Sequence, residues 1–174
     1  RSAMLMHAPP PEEDAGPFLH VARWLIENGM RGPEILGARP EEGLVLIEDF
    51  GDQRMKEWID DHPQDESAVY AQAIDALVKL RSLPAGPFDP YDMAVYQREA
   101  ALFVEWYCPA VGLDVDEEGW RTAWDKALAP LIERQQPGVT VLRDYHAENV
   151  MLLEPGKPHG ERGLIDFQDA LVGH

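Results

Sequence analysis

At 174 residues the chain has room for one medium-sized domain or two small lobes sharing a cleft, and its 45% hydrophobic content is enough to bury a core. Its formal charge of −17, from 32 acidic against 15 basic residues with no gathered basic face, argues against a nucleic-acid partner, because a phosphate backbone would be repelled. No run approaches the roughly 18 apolar residues of a membrane span, "RSAMLMHAPP" is too short and proline-rich for a signal peptide, and the single Cys108 can form no internal disulfide and has no partners at zinc-ligand spacing, so a cytoplasmic protein is expected.

Residues 2–8, "SAMLMHA", are apolar and stop at Pro9, Pro10 and Pro11, which cannot donate to a ladder; they read as a strand. Glu12, Glu13 and Asp14 then lead into Phe18, Val21, Ala22 and Leu25, whose spacing builds one helical face, with Gly29 as the C-terminal cap. After "RGPEILGARPEE", to which the pattern assigns no element, Leu44 to Ile47 in "GLVLIEDFG" form a buried strand that gives way at once to carboxylates and a glycine.

From Asp52 to Gln136 the period becomes helical. Tyr70, Ala73, Ile74 and Leu77 share one face, Leu102, Phe103 and Trp106 another, and Trp120, Trp124, Ala127 and Leu131 a third. These stripes are expected to be core rather than a cofactor box, because a helix needs such a face to stay folded. Cys108 is expected to be a half-buried thiol beside Trp106 and Tyr107. Two short strands, "TVLRD" and "VMLL", lead through "EPGKPHGE", a turn, to a third, "RGLIDF". Strands and helices segregated in this way suggest an α+β fold of two lobes divided near Phe50 to Asp52, with residues 1–50 the small β-containing lobe and 51–174 the mainly helical one.

The chemistry is concentrated in "VLRDYHAENVMLL" and "GLIDFQDA". Asp144 and Asn149 stand five apart, and Asp166 ends the next apolar strand. Together they supply one potential general base and two hard oxygen ligands. Magnesium binds through one or two carboxylates plus substrate phosphates, and phosphoryl transfer asks the protein mainly for positioning and charge neutralisation. Each residue alone reads equally well as a turn former that bonds its own backbone. The joint pattern is harder to set aside, since two polar clusters flanked by β-type apolar residues are costly near a core without an ion or ligand.

Asp144 and Asn149, with "LIDF" carrying Asp166, resemble the catalytic and metal loops of the protein kinase-like phosphotransferases, in the aminoglycoside phosphotransferase and choline kinase family. They stand where protein kinases have H-R-D and D-F-G. "LVLIEDFGD" resembles the hinge of that family, "LFVEWY" adds to the likeness, and "LRDYHAEN" with "GLIDFQDA" is most similar to the bacterial N-acetylmuramate/N-acetylglucosamine anomeric kinases of cell-wall recycling.

The resemblance implies a two-lobed protein kinase-like fold and an ATP- and Mg2+-dependent transfer of phosphate to a hydroxyl of a small sugar. In that family pattern Asp144 would orient the proton of the attacking hydroxyl, and Asn149 and Asp166 would hold Mg2+ on the ATP phosphates. The backbone of Glu48 and Phe50 would meet the adenine edge, with the side chains of Glu48 and Asp49 solvated. Arg143 would orient Asp144, contact a phosphate or form a surface ion pair. His146 would brace the loop, and Asp169 would cap a following helix or touch substrate.

The family's glycine-rich phosphate loop and strand lysine have no counterparts here, His7 or Ala8 standing near the lysine's place, and relatives continue beyond "LVGH". The sequence is therefore expected to be part of a longer protein, incomplete at both ends. An aminoglycoside or choline-type kinase, whose cationic acceptor suits an acidic protein, and a non-catalytic binding module stay open as alternatives.

Overall fold

Strand alternation sets the first sheet in the computed structural model, which describes residues 2–134, 138–153 and 162–174. Strands β1 (Ala3–His7), β2 (Ile35–Arg39) and β3 (Leu44–Glu48) pair antiparallel in the order β1-β3-β2. Met4 and Met6 stand opposite Ile47 and Val45, so the period of two turns all four to one face. There Val45 is wholly buried with Ala15 and Leu19, and Phe18 and Met6 pack around them. Leu5 and Leu46 face each other on the opposite side and remain exposed. β2 lies in "RGPEILGARPEE", where the sequence pattern assigns no element. Its register shifts between Ile35 and Gly37, and pairing with β3 rather than its own alternation makes it a strand.

Helix α1 (Gly16–Glu27) presents Leu19, Val21, Ala22 and Leu25 as its buried face. It ends as its sequence predicts: Gly29 takes a φ of 73°, its amide donates to Ile26 O, and the Met30 amide donates to Leu25 O.

Helices α2 (Met55–Asp61) and α3 (Glu66–Ser82) share a second core of Met55, Val69, Ala73 and Val150. The expected α3 face is only partly right. Ala73 is buried, but Tyr70, Ile74 and Leu77 are exposed, and Val69 and Leu80 are buried instead. The apolar residues of α3 encircle it, and the side that α2 and the strand carrying Val150 cover is the one that becomes core.

α4 (Met93–Leu102), a π turn at Phe103–Tyr107, α5 (Cys108–Val111) and α6 (Glu117–Glu133) follow. Asp92 and Asp116 cap α4 and α6 through the amides of Val95 and Gly119. The aromatic stripes expected to be core lie largely at the surface. Leu102, Phe103, Trp106 and Leu131 are exposed, and Phe103 stacks on Tyr107 and on Trp120 with ring centroids 4.9 and 5.2 Å apart. The rings cover one another rather than a shared interior. Cys108 is buried, not half-buried.

The last strands are β4 (Val139–Val141), β5 (Val150–Leu152), β6 (Arg162–Leu164) and β7 (Leu171–Gly173). β5 pairs with β6, whereas β4 pairs with β7, a strand the sequence pattern leaves unassigned. "EPGKPHGE" falls outside the described residues.

The chain divides into two compact units, residues 1–84 with 142–170, and residues 85–141 with 171–174. Neither unit begins or ends at residue 50. The first holds the three-stranded sheet, α1 to α3, the β5–β6 pair and every candidate site residue.

Candidate functional site

The loop between β4 and β5 is folded by its own main chain. The Asp144 amide donates to Leu142 O (2.9 Å), His146 to Asp144 O (3.1 Å) and Asn149 to His146 O (2.9 Å). Arg143 takes a left-handed φ of 65°, and Asp166, at the end of β6, one of 57°. Neither is glycine, and such a conformation costs of order 1–3 kcal/mol, so the surroundings must impose it.

Three neighbours hold the loop. Tyr145 donates its hydroxyl to the Ala73 carbonyl on α3 (2.7 Å), and burial pushes its phenol up to about 12. The Lys56 amide at the start of α2 donates to Ala147 O (3.0 Å). The Ile165 amide donates to Asn149 O (3.1 Å), which ties the loop to the end of β6.

Asn149 and Asp166 meet. The Asn149 amide Nδ2 donates to Asp166 Oδ2 (3.2 Å) and to the Asp144 carbonyl (3.0 Å), and lies 3.3 Å from His146 Nε2. A carbonyl and a carboxylate, both acceptors, around one atom identify it as the amide nitrogen, which leaves Asn149 Oδ1 as the acceptor end of the side chain. Gln168 Nε2 donates to Asp166 Oδ1 (2.8 Å), so each carboxylate oxygen receives one amide donor. Phe167, one residue on, is buried and stacks on Phe18 of α1 at 5.3 Å, which fixes the segment behind the carboxylate.

The structure thus places Asp144, His146, Asn149 and Asp166 in one cluster, with Asp144 and Asp166 exposed. Arg143 is exposed beside them. Asp169 does not cap a helix: it sits in an exposed turn where the Ala170 amide donates to Phe167 O, and β7 follows.

Glu48 and Phe50 are apart from this cluster in sequence but border the same unit's cavity, of about 480 Å³. Its walls include Met4, Phe18, Ile47, Phe50, Met151 and Ile165, with Glu48, Arg54 and Glu57 among its polar members. The Ile165 wall abuts Asp166. A mostly apolar pocket of this size with a few polar groups suits a planar heterocycle.

Of the two side chains expected to be solvated, Glu48 is engaged by a buried partner, and Asp49, still open to solvent, closes a local turn. Glu48 is held by Arg31 in two parallel bonds, Nη1 to Oε2 at 2.8 Å and Nη2 to Oε1 at 2.6 Å. The Glu48 amide donates to Glu34 O (2.9 Å). Asp49 Oδ1 accepts the Gly51 amide (2.8 Å) across a turn in which Gly51 takes a φ of 77°. That amide, followed by the Ser2 side chain, holds the Asp49 carboxyl below its ordinary range.

Sequence reasoning missed Arg31, Gln168 and the anchoring role of Tyr145. Gln168 and Tyr145 lie inside the quoted loops and could have been weighed there. Arg31 gives no local sign, since its partner Glu48 is 17 residues away.

Two oxygen-bearing side chains, an amide and a carboxylate, fit a hard divalent cation. Among the described residues no group of three or more His, Cys, Asp or Glu could hold a metal, so a cation at Asn149 and Asp166 would complete its shell with phosphate oxygens and water.

The chain belongs to the phosphotransferase enzyme family, whose profile matches residues 1–174, and it shares that family's protein kinase-like fold. Among curated relatives it is similar to an N-acetylmuramate/N-acetylglucosamine kinase of Pseudomonas aeruginosa, 40% identical over 177 residues that cover 99% of this chain and 50% of the relative. A protein of the same name from Pseudomonas putida is 35% identical over 99% of this chain and 50% of the relative. One from Caulobacter vibrioides is 31% identical over 90% of this chain and 46% of the relative. The chain spans about half the length of these relatives.

Proposed function

We propose that the protein carrying this chain is an ATP- and Mg2+-dependent kinase that phosphorylates the anomeric hydroxyl of N-acetylmuramate or N-acetylglucosamine. The observation that carries the reading is the meeting of Asn149 and Asp166 at 3.2 Å beside Asp144. Relatives at 31–40% identity bear the kinase name and supply the acceptor. In this reading residues 1–50 are the small lobe, residues 51–174 the helical lobe, and Glu48 to Gly51 the hinge.

Asp144 orients the sugar hydroxyl and takes its proton as the hydroxyl oxygen bonds to the γ-phosphorus and the bond from that phosphorus to the bridging oxygen breaks, releasing ADP. Asn149 Oδ1 and Asp166 are the groups that hold Mg2+. When bound, Mg2+ neutralises charge on the phosphates. The Glu48 carbonyl and the Phe50 amide meet the adenine edge, and the cavity bounded by Met151 and Ile165 takes the ring. His146 holds Asn149, while Arg143 stands where it can contact a phosphate or orient Asp144. Among the described residues no helix is long and apolar enough to cross a membrane, and a cytoplasmic location goes with ATP as substrate.

A coupled ADP-release assay on the full-length protein tests the reading with N-acetylmuramate, N-acetylglucosamine, kanamycin and choline. Turnover of the two amino sugars is expected. Turnover of kanamycin or choline alone would overturn the acceptor, and no turnover with any of them would overturn the kinase. Asp144→Ala should lower kcat by about 100-fold or more while ATP still binds.

A further inference from the structure

We propose that Arg31 is a positioning residue that locks the base-reading segment Glu48 to Phe50 to the strand leading to Asp166, and thereby sets discrimination between nucleotide bases. This rests on the nucleotide reading above.

Arg31 is buried, at 5% exposure, between the end of α1 and β2. It reaches the hinge in two ways. Its guanidinium grips the Glu48 carboxylate in the bidentate pair, and its Cζ lies over the Phe50 ring, 4.6 Å from the centroid. Its main chain reaches the other element: Arg31 O accepts the Leu164 amide on β6 (2.8 Å), two residues before Asp166. The Phe50 ring is held from β6 as well. A Cβ added to Gly163 would meet its ring carbons at 2.7 Å, so the ring rests directly on the glycine backbone. One residue and one ring therefore join the hinge to the Asp166 strand.

The arrangement is costly as mere packing. The Arg31 charge leaves water for it and the Glu48 charge does so in part, and Arg31 Nε is buried without a hydrogen-bond partner. Such pairs add little net stability over an apolar filling, and in some proteins they instead specify geometry, the role we assign to this one. Only arginine supplies both the fork and the flat face, since a lysine ammonium is a single point charge.

Steady-state kinetics on the full-length protein, with ATP and GTP as donors and N-acetylglucosamine as acceptor, test this. Arg31→Lys should raise the KM for ATP about tenfold, equivalent to one lost charge-assisted contact, with kcat and the sugar KM changing by no more than about twofold. The ratio of kcat/KM for ATP over GTP should fall. Phe50→Leu keeps the ion pair and the apolar bulk but loses the stacking, and should shift the ratio in the same direction by about threefold. It decides the matter if Arg31→Lys does not fold. An unchanged ATP to GTP ratio in the folded variants, with wild-type turnover intact, overturns the proposal alone. Absence of wild-type turnover with either nucleotide on N-acetylmuramate, N-acetylglucosamine, kanamycin and choline alike overturns the nucleotide reading beneath it.

Discussion

Asn149 and Asp166 illustrate how few atoms the candidate site requires. One amide nitrogen is spent on two acceptors, the Asp144 carbonyl and Asp166 Oδ2, which leaves the amide oxygen and the remaining carboxylate lone pairs for a cation. Asp166→Asn keeps the shape but removes the charge. It is expected to abolish the part of the ATP-induced thermal shift that depends on Mg2+, measured by melting with and without the metal. Tyr145 is a support rather than a reactant. Tyr145→Phe should cost about 1 kcal/mol in denaturant unfolding, because the Ala73 carbonyl loses its donor. Its phenol also has a sign to test. The folded chain holds the proton more tightly, up to about 12 against the ordinary 10.0, so the stabilisation is complete below pH 10.0 and fades as pH rises towards about 12. Stability of the wild type should therefore decline over that interval more steeply than that of Tyr145→Phe.

At the scale of elements, the tight connection between β2 and β3 positions the segment from Glu48 to Gly51 proposed as the hinge, since β3 ends at Glu48. Gly43 closes that connection at a φ of 68°, where a Cβ would come within 2.0 Å of the Ala8 carbonyl oxygen. Gly43→Ala must therefore adopt a left-handed conformation and push aside backbone, for an expected loss of about 1–3 kcal/mol in denaturant melts. Gly37 on β2 has nothing within 4 Å of an added Cβ, so Gly37→Ala should change stability by no more than about 0.5 kcal/mol. The helices carry a different lesson. α3 bears apolar side chains on several sides, and α2 and β5 select Val69 and Ala73 for the core over Tyr70 and Ile74.

Over the whole molecule, a kinase reading makes nucleotide binding a stability term. At about 100 times the dissociation constant, bound ATP and Mg2+ should add about 2.7 kcal/mol to the unfolding free energy of the full-length protein, read as a raised Tm, and a non-binding protein would show none. The candidate site residues were legible as candidates, because an Asp, an Asn and a second Asp at strand ends are local patterns, and the fold brings Asn149 and Asp166 together. Also legible were α1 with its glycine cap, β1 and β3, whose periodicity and prolines lie within a few residues of one another. The two site loops by their wording alone pointed to the family to which the chain belongs, while length and charge left it open. Only the tertiary structure decided that β2 is a strand, that β4 pairs with β7 rather than β5, that the aromatic stripes stack at the surface, and that Glu48 belongs to Arg31. The β4–β7 pair, the Phe103–Trp120 stack and the Arg31–Glu48 pair join residues distant in sequence, and β2 becomes a strand only by pairing with β3; such pairing leaves no periodicity for a sequence to display.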